Sequence, residues 1–380
     1  MIKLIKKVQV YAPENLGVKD ILIAGEKIVA IENEIDGTKI PNCEIINADN
    51  LIAVPGFIDG HVHMIGGGGE GGPKTRTPEL NLTKALEAGV TTVVGCLGTD
   101  GTTRQMSSLL AKAQALEAEG ISTYIYTGSY EVPVPTLTGS VKTDLLFVDK
   151  VIGVGEVAIS DHRSSQPTYN EIKQLAAQTR VGGMLSGKAG LVHLHVGSEK
   201  EGIDYIFNIV EETDIPIKQF LPTHMGRTEH LLNQGLELIN MGGRIDITAS
   251  EKAIGQVKYL LDQGADIEGI TVSSDGNGSL PKFDSKGNLI GLKVGEMKTV
   301  FNLWKALITK HNIPIEQALK ITTSNVANNL KINHKKGSLK IGLDADILIL
   351  DYDLNMEMLI SRGSTVVKGG KPIIFGTFER

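Results

Sequence analysis

Cysteine is nearly absent: Cys43 and Cys96 are the only two in 380 residues, far apart and without ligand-like spacing. A disulfide framework or a cysteine-rich zinc module is therefore not expected, and both thiols read as reduced. Long apolar runs are missing too. None approaches the ~18 residues that a bilayer-spanning helix needs. The opening Met1-Ile2-Lys3-Leu4-Ile5-Lys6-Lys7 is interrupted by lysines and has no apolar core of the signal-peptide kind. Positive charge is never gathered into a block and the net charge is −6, so nucleic acid is not an expected partner. No Gly-x-Gly-x-x-Gly turn supports a dinucleotide-binding open sheet. These absences leave a cytoplasmic protein without membrane or nucleic-acid partners.

Glycine is what the chain has in excess, 44 residues against an average of roughly 7%. The glycines stand between apolar runs, which favours tight loops over disorder. The length suits one large domain with a minor one. Val- and Ile-rich segments at 3–11, 18–24 and 27–31, and again at 345–350, 364–368 and 371–375, make both ends β-rich. Two such ends flanking one core would pair into a single small β-sandwich, here 1–54 with 340–380. Between them, at 55–339, short apolar runs alternate with helical periodicity. Strands are expected at 57–63, 91–96, 123–127, 151–159, 190–196, 217–223, 245–248 and 270–274. Helices are expected at 79–88, 106–119, 169–179, 203–212, 228–241, 252–263 and 294–309. About eight strand–helix units predict an α/β fold, a (β/α)8 TIM barrel.

A barrel of that kind carries its chemistry where the strands end. The polar residues at those places are His61 and His63, Glu156, His195, His224 and Asp275. His61 and His63 are two apart on one strand, so both imidazoles face the same side, where a borderline-soft divalent ion is well served. His193 and His195 repeat the pattern. Singly, each would read as a hydrogen-bonded core or loop residue. As an ordered set they read as a metal site.

That order, following Pro55-Gly56-Phe57-Ile58-Asp59-Gly60, resembles the amidohydrolase superfamily, including its dihydroorotases and hydantoinases. Longer stretches resemble its isoaspartyl (β-aspartyl) dipeptidase family: Gly66-Gly67-Gly68-Gly69-Glu70-Gly71-Gly72, Thr99-Asp100, Ser160-Asp161-His162-Arg163-Ser164, Leu221-Pro222-Thr223-His224-Met225-Gly226-Arg227 and Ser273-Ser274-Asp275-Gly276-Asn277-Gly278-Ser279. Gly342-Leu343-Asp344-Ala345-Asp346 resembles the return of the chain into the terminal sandwich. The resemblance implies two divalent ions, zinc first among Zn, Mn, Co and Ni, bound by His61, His63, Glu156, His195, His224 and Asp275. It also implies a homo-oligomer, an octamer in the family.

One motif departs from the family. Where a carboxylated lysine bridges the ions there, this chain reads Val154-Gly155-Glu156-Val157 and is one residue longer. A glutamate falls short of such a lysine by three bonds, roughly 3–4 Å. A bulge at Gly155 would recover part of that reach, and Glu156 is read as the bridging carboxylate itself. Otherwise another lysine, Lys150 or Lys188, would have to carry the carbamate.

Two ions ~3.5–4 Å apart bridge a hydroxide and polarise a carbonyl, and Asp275 would take the proton and pass it to the leaving amine. The reaction is amide hydrolysis. For the substrate, Glu70 in its glycine run would meet an ammonium, with Gly68 and Thr99 at the α-carboxylate and Gly69 also binding substrate. Arg163 and Arg227 would fork onto a second carboxylate, or else form a structural ion pair. Tyr130 would donate to the oxyanion, and Ser279 would line the pocket. The implied substrate is a small isoaspartyl dipeptide from damaged peptides. A cyclic amidase, whose substrates lack an ammonium for Glu70, and a catalytically silent scaffold are the alternatives.

Overall fold

The computed structural model describes residues 2–283 and 289–379. The chain begins with β1 (Ile2–Tyr11), β2 (Asn15–Ala24), β3 (Lys27–Glu32), β4 (Cys43–Asn47) and β5 (Ile52–Pro55). β1 is long and irregular. Its pairing with β2 slips between Ile5 and Val8. Its first half pairs with β4, whereas Gln9 and Val10 pair with β5. One bent strand thus serves two wings of sheet.

The barrel follows: β6 (Phe57–Val62), α1 (Leu82–Glu87), β7 (Val90–Gly95), α2 (Met106–Glu119), β8 (Ser122–Thr127), α3 (Val141–Phe147), β9 (Val151–Ile159), α4 (Tyr169–Ser186), β10 (Leu191–Val196), α5 (Asp204–Glu212), β11 (Phe220–Thr223), α6 (Glu229–Asn240), β12 (Ile245–Thr248), α7 (Glu251–Asp262) and β13 (Ile270–Ser273). Strands β6 to β11 form one parallel sheet and β12–β13 another. Closure comes from Met225 N–H to the Asp246 carbonyl at 3.3 Å and His63 N–H to the Gly276 carbonyl at 2.8 Å. Period-two alternation sorts the side chains. Phe57, Val93 and Ile125 face the helices, while Ile58, Val94 and Tyr126 fill the interior. The helices start where side-chain caps satisfy their first amides: Thr168 with Glu171 forms a capping box for α4, and Thr228 and Ser250 cap α6 and α7.

The hairpin β14 (Ser279–Phe283) and β15 (Leu289–Val294) precedes α8 (Lys298–His311), α9 (Ile315–Lys320) and α10 (Ser324–Asn329). The helix expected from 294 therefore begins four residues later. Residues 289–294 are taken by pairing with β14, and at Gly295 a Cβ would stand 2.1 Å from the Asp275 carbonyl oxygen. α4 runs past its expected end because Gly182 and Gly183 lie against Leu145 and Gly190 too closely for any Cβ. Packing overrides the helix-weakening glycines.

The chain ends with β16 (Ile347–Leu350), β17 (Met356–Ser361), β18 (Ser364–Lys368) and β19 (Lys371–Pro372). These join the N-terminal strands in the order β19-β18-β17-β16-β5-β1-β2-β3, with β4 beside β1. The expected terminal β-sandwich is thus built from both ends. Its core includes Ile5, Val8, Val10, Ile21, Ile23, Ile347 and Ile349. Lys336 ties it to the barrel: its buried ammonium reaches Asp346 at 2.5 Å, Asp344 at 2.8 Å and the Ser122 hydroxyl at 2.7 Å.

Candidate metal centre and active site

β6 carries His61 inward, and His63 follows two residues later at the rim. β9 brings Glu156 to the same place through a bulge. Val192 pairs with Val154 and Leu194 with Val157, so Gly155 and Glu156 together face the single residue His193. A Cβ at Gly155 would lie 2.7 Å from that of His193, so only glycine fits. The bulge is the one the sequence suggested. His195 comes from the end of β10. His224 and Asp275 are the residues just beyond β11 and β13, and both are left-handed, at φ 64° and 53°. Such turns set each side chain over the barrel mouth.

These residues converge. Glu156 Oε2 lies 3.2 Å from His61 Nε2, 3.2 Å from His195 Nδ1 and 3.6 Å from His224 Nε2, while Oε1 lies 3.3 Å from His63 Nε2. Asp275 Oδ1 stands 3.1 Å from His63 Nε2 and 3.7 Å from His61 Nε2. Donor atoms about 2.0–2.2 Å from a shared tetrahedral ion stand roughly 3.4 Å apart. Neither ring nitrogen of His61 makes a hydrogen bond, nor does Asp275 Oδ1, although all are buried. Atoms this near one another, yet unbonded, are aimed at a common third point. The donors fit divalent ions. Glu156 belongs both to the group with His61 and His63 and to the group with His195 and His224.

Electrostatics agree. Burial raises the Glu156 carboxyl, but the His61 charge and the close imidazoles of His195 and His224 outweigh it and hold the group well below the usual carboxylate range. Burial, reinforced by the His195 and Arg227 charges, pushes His224 down to about 3. It is therefore a neutral imidazole, the form that ligates. His195 Nε2 meets Asp161 at 2.9 Å and His224 Nδ1 meets Thr248 Oγ1 at 2.6 Å. Each ring thus has one nitrogen anchored and the other facing Glu156, the usual arrangement behind a metal-binding histidine.

The substrate candidates ring the mouth. Gly68, Gly69 and Glu70 lie in the loop after β6, with Gly68 and Gly69 at φ 73° and 113°. A Cβ on Gly68 would be 2.9 Å from that of Ser279, so these two are neighbours. Glu70 Oε1 accepts from the Thr99 hydroxyl at 3.0 Å and faces Arg163 Nη1 at 3.3 Å. Tyr130 OH lies 2.7 Å from His195 Nδ1. The two arginine forks are already engaged: Arg163 grips Asp161 through Nε and Nη2 at 2.9 and 2.7 Å, and Arg227 donates to the Val196 carbonyl at 2.7 Å.

The profile of the Amidohydrolase family matches residues 52–378. The chain belongs to the amidohydrolase family. It is 48% identical to a β-aspartyl dipeptidase of Fervidobacterium islandicum AW-1 solved in complex with the β-Asp-Leu dipeptide, with 98% of each chain covered and a TM-score of 0.92. A second structure of a β-aspartyl dipeptidase from that organism gives 45% identity, the same coverage and a TM-score of 0.90. A dihydroorotase of Elusimicrobium minutum is 25% identical over 94% of this chain and 90% of its own.

Sequence reasoning missed several residues of this amidohydrolase's site. Asp161 is 4% exposed and joins His195, Arg163 and Arg227, with its carboxyl far below the usual range despite burial, because His195 and Arg163 bond to it. The only signal was its place in Ser160-Asp161-His162-Arg163. Thr248 and Cys96 gave none, because their partners come from other strands. Lys150 and Lys188 are occupied elsewhere: Lys150 pairs with Glu117 at 2.6 Å, and Lys188 donates to the Leu145 and Val148 carbonyls. Both precede barrel strands and lie at the end opposite the histidines.

Proposed function

We propose that this chain hydrolyses β-aspartyl (isoaspartyl) dipeptides with two divalent ions, zinc first, at the His61–His63–Glu156–His195–His224–Asp275 centre. The observation that carries the reading is the Glu70–Arg163 pair at 3.3 Å over the mouth. Opposite charges facing across an open site are parted by a ligand that bears both, and a dipeptide linked through the aspartate side chain keeps a free ammonium and two carboxylates. The β-Asp-Leu complex of the 48% identical Fervidobacterium enzyme supports the same class. Ions bound there supply Lewis acidity and a water of lowered pKa.

Glu70 would take the ammonium, with Gly68, Gly69 and Thr99 near the α-carboxylate and Ser279 beside them. Arg163, braced by Asp161, keeps Nη1 for a substrate carboxylate, with Arg227 next to it. Asp275 Oδ1 has no hydrogen bond and is the base that accepts a proton and returns it to the leaving amine. Tyr130 OH would leave His195 to donate to the carbonyl oxygen as charge develops. A homo-oligomer is in keeping with Phe147, Met184 and Leu185, apolar residues exposed on α3 and α4, and a cytoplasmic setting with two free cysteines. Among the described residues no helix is long and apolar enough to cross a membrane. The test is turnover of β-Asp-Leu against α-Asp-Leu and a hydantoin: only the first should be cleaved efficiently, and preference for the hydantoin would overturn the reading.

A further inference from the structure

We propose that Cys96 is a further ligand of the His61–His63 metal position, so that one ion is held by a thiolate as well as by imidazole and carboxylate. The inference rests on the binuclear reading above. Cys96 directly follows β7, at the barrel end where the histidines lie, and is completely buried. Donor atoms of His61, His63, Cys96 and Glu156 all lie within 4.8 Å of one another. Among the described residues its sulfur makes two long polar contacts, with the Val62 carbonyl at 3.7 Å and His63 Nδ1 at 3.9 Å.

The second observation is His61. It too is completely buried, and neither of its nitrogens is hydrogen-bonded. Cys96 packs with Ile58 and Val94 on the apolar side, and its sulfur also shares a pocket with two imidazoles and a carboxylate that want a cation. A zinc-like ion accepts this mixture, with sulfur at ~2.3 Å and imidazole nitrogen at ~2.0–2.1 Å. Tetrahedral placement then sets sulfur and nitrogen roughly 3.6 Å apart, within the span observed. On loading, the thiol proton leaves to solvent and the sulfur lone pair binds the ion. A thiolate would favour zinc, cobalt or cadmium over manganese and magnesium.

The experiment is cobalt(II) loading of the metal-free protein, followed by absorption spectroscopy. Wild type and Cys43→Ser should show a near-ultraviolet sulfur-to-cobalt charge-transfer band in addition to visible ligand-field bands. Cys96→Ala should lose the former and keep the latter. Equal near-ultraviolet spectra in wild type and Cys96→Ala would overturn the proposal and leave the metal centre standing. Failure of wild type to bind cobalt would remove both readings. Should Cys96→Ala not fold, X-ray absorption of zinc-loaded Cys43→Ser decides: a sulfur scatterer at ~2.3 Å is expected, and a shell of nitrogen and oxygen alone would overturn it.

Discussion

Replacing Glu156 by glutamine keeps the side chain's size and removes its charge and one acceptor. The carboxylate stands 3.2–3.6 Å from ring nitrogens of His61, His63, His195 and His224, so its loss reaches both halves of the centre. Four-ligand zinc sites are worth about 10–16 kcal/mol, or roughly 2.5–4 kcal/mol for each ligand. At 1.4 kcal/mol per tenfold, the dissociation constant at each position should rise about 10²–10³-fold. Wild type should hold two ions per chain after gel filtration, and Glu156→Gln at most one, by elemental analysis on protein whose circular dichroism is unchanged. His61→Asn should affect only one position. Because a glutamate is permanent, metal-free wild type should reload equally well with and without bicarbonate. Two ions in Glu156→Gln with affinities within tenfold of wild type would refute the bridging role, and bicarbonate-dependent reloading would move it to a lysine carbamate.

Glu70→Gln should keep both ions yet lose about 10–150-fold in kcat/KM for β-Asp-Leu, since a charge-assisted hydrogen bond is worth about 1.5–3 kcal/mol; steady-state kinetics beside metal content checks this. Asp161→Asn should weaken metal binding at the His195 position by about 10–100-fold, read by chelator competition. Lys336→Met leaves Asp346 buried without its ammonium and should cost about 3–5 kcal/mol, a Tm fall of about 4–6 °C for a chain of this length. Asp344 is held below the ordinary carboxylate value: burial raises it, but Lys336 and Lys27 outweigh that. Its contribution is therefore present above about pH 4 and lost as pH falls through the folded value. The stability gap between wild type and Asp344→Asn should close on acidification, as denaturant titrations from pH 6 to pH 2 would measure.

The barrel was legible because alternation and strand-end polarity survive in one dimension: β9 and α2 have the bounds their periodicity implies. The short strands β4 and β17 and helix α3 were not, since their stability comes from neighbours distant in sequence. The histidines announced themselves by spacing. Glu156 announced itself by interrupting an apolar strand, and the pairing of β9 with β10 explains how it reaches the others. Asp161 stayed hidden beside Arg163, because its grip on Nε and Nη2 of that residue and its contact with His195 depend on how the loop after β9 folds back. Cys96 had no neighbouring cysteine to mark it, and its partners are on β6 and β9.

The left-handed turns at His224 and Asp275 bear on any attempt to make this protein more heat-resistant. A non-glycine residue held in such a conformation is destabilising by about 1–3 kcal/mol, so glycine or asparagine at either position would toughen the metal-free chain. Selection for thermal resistance alone would therefore be drawn to these two places first, and would collect robust, empty barrels. A stability screen on this scaffold should be run with metal retention as a second criterion.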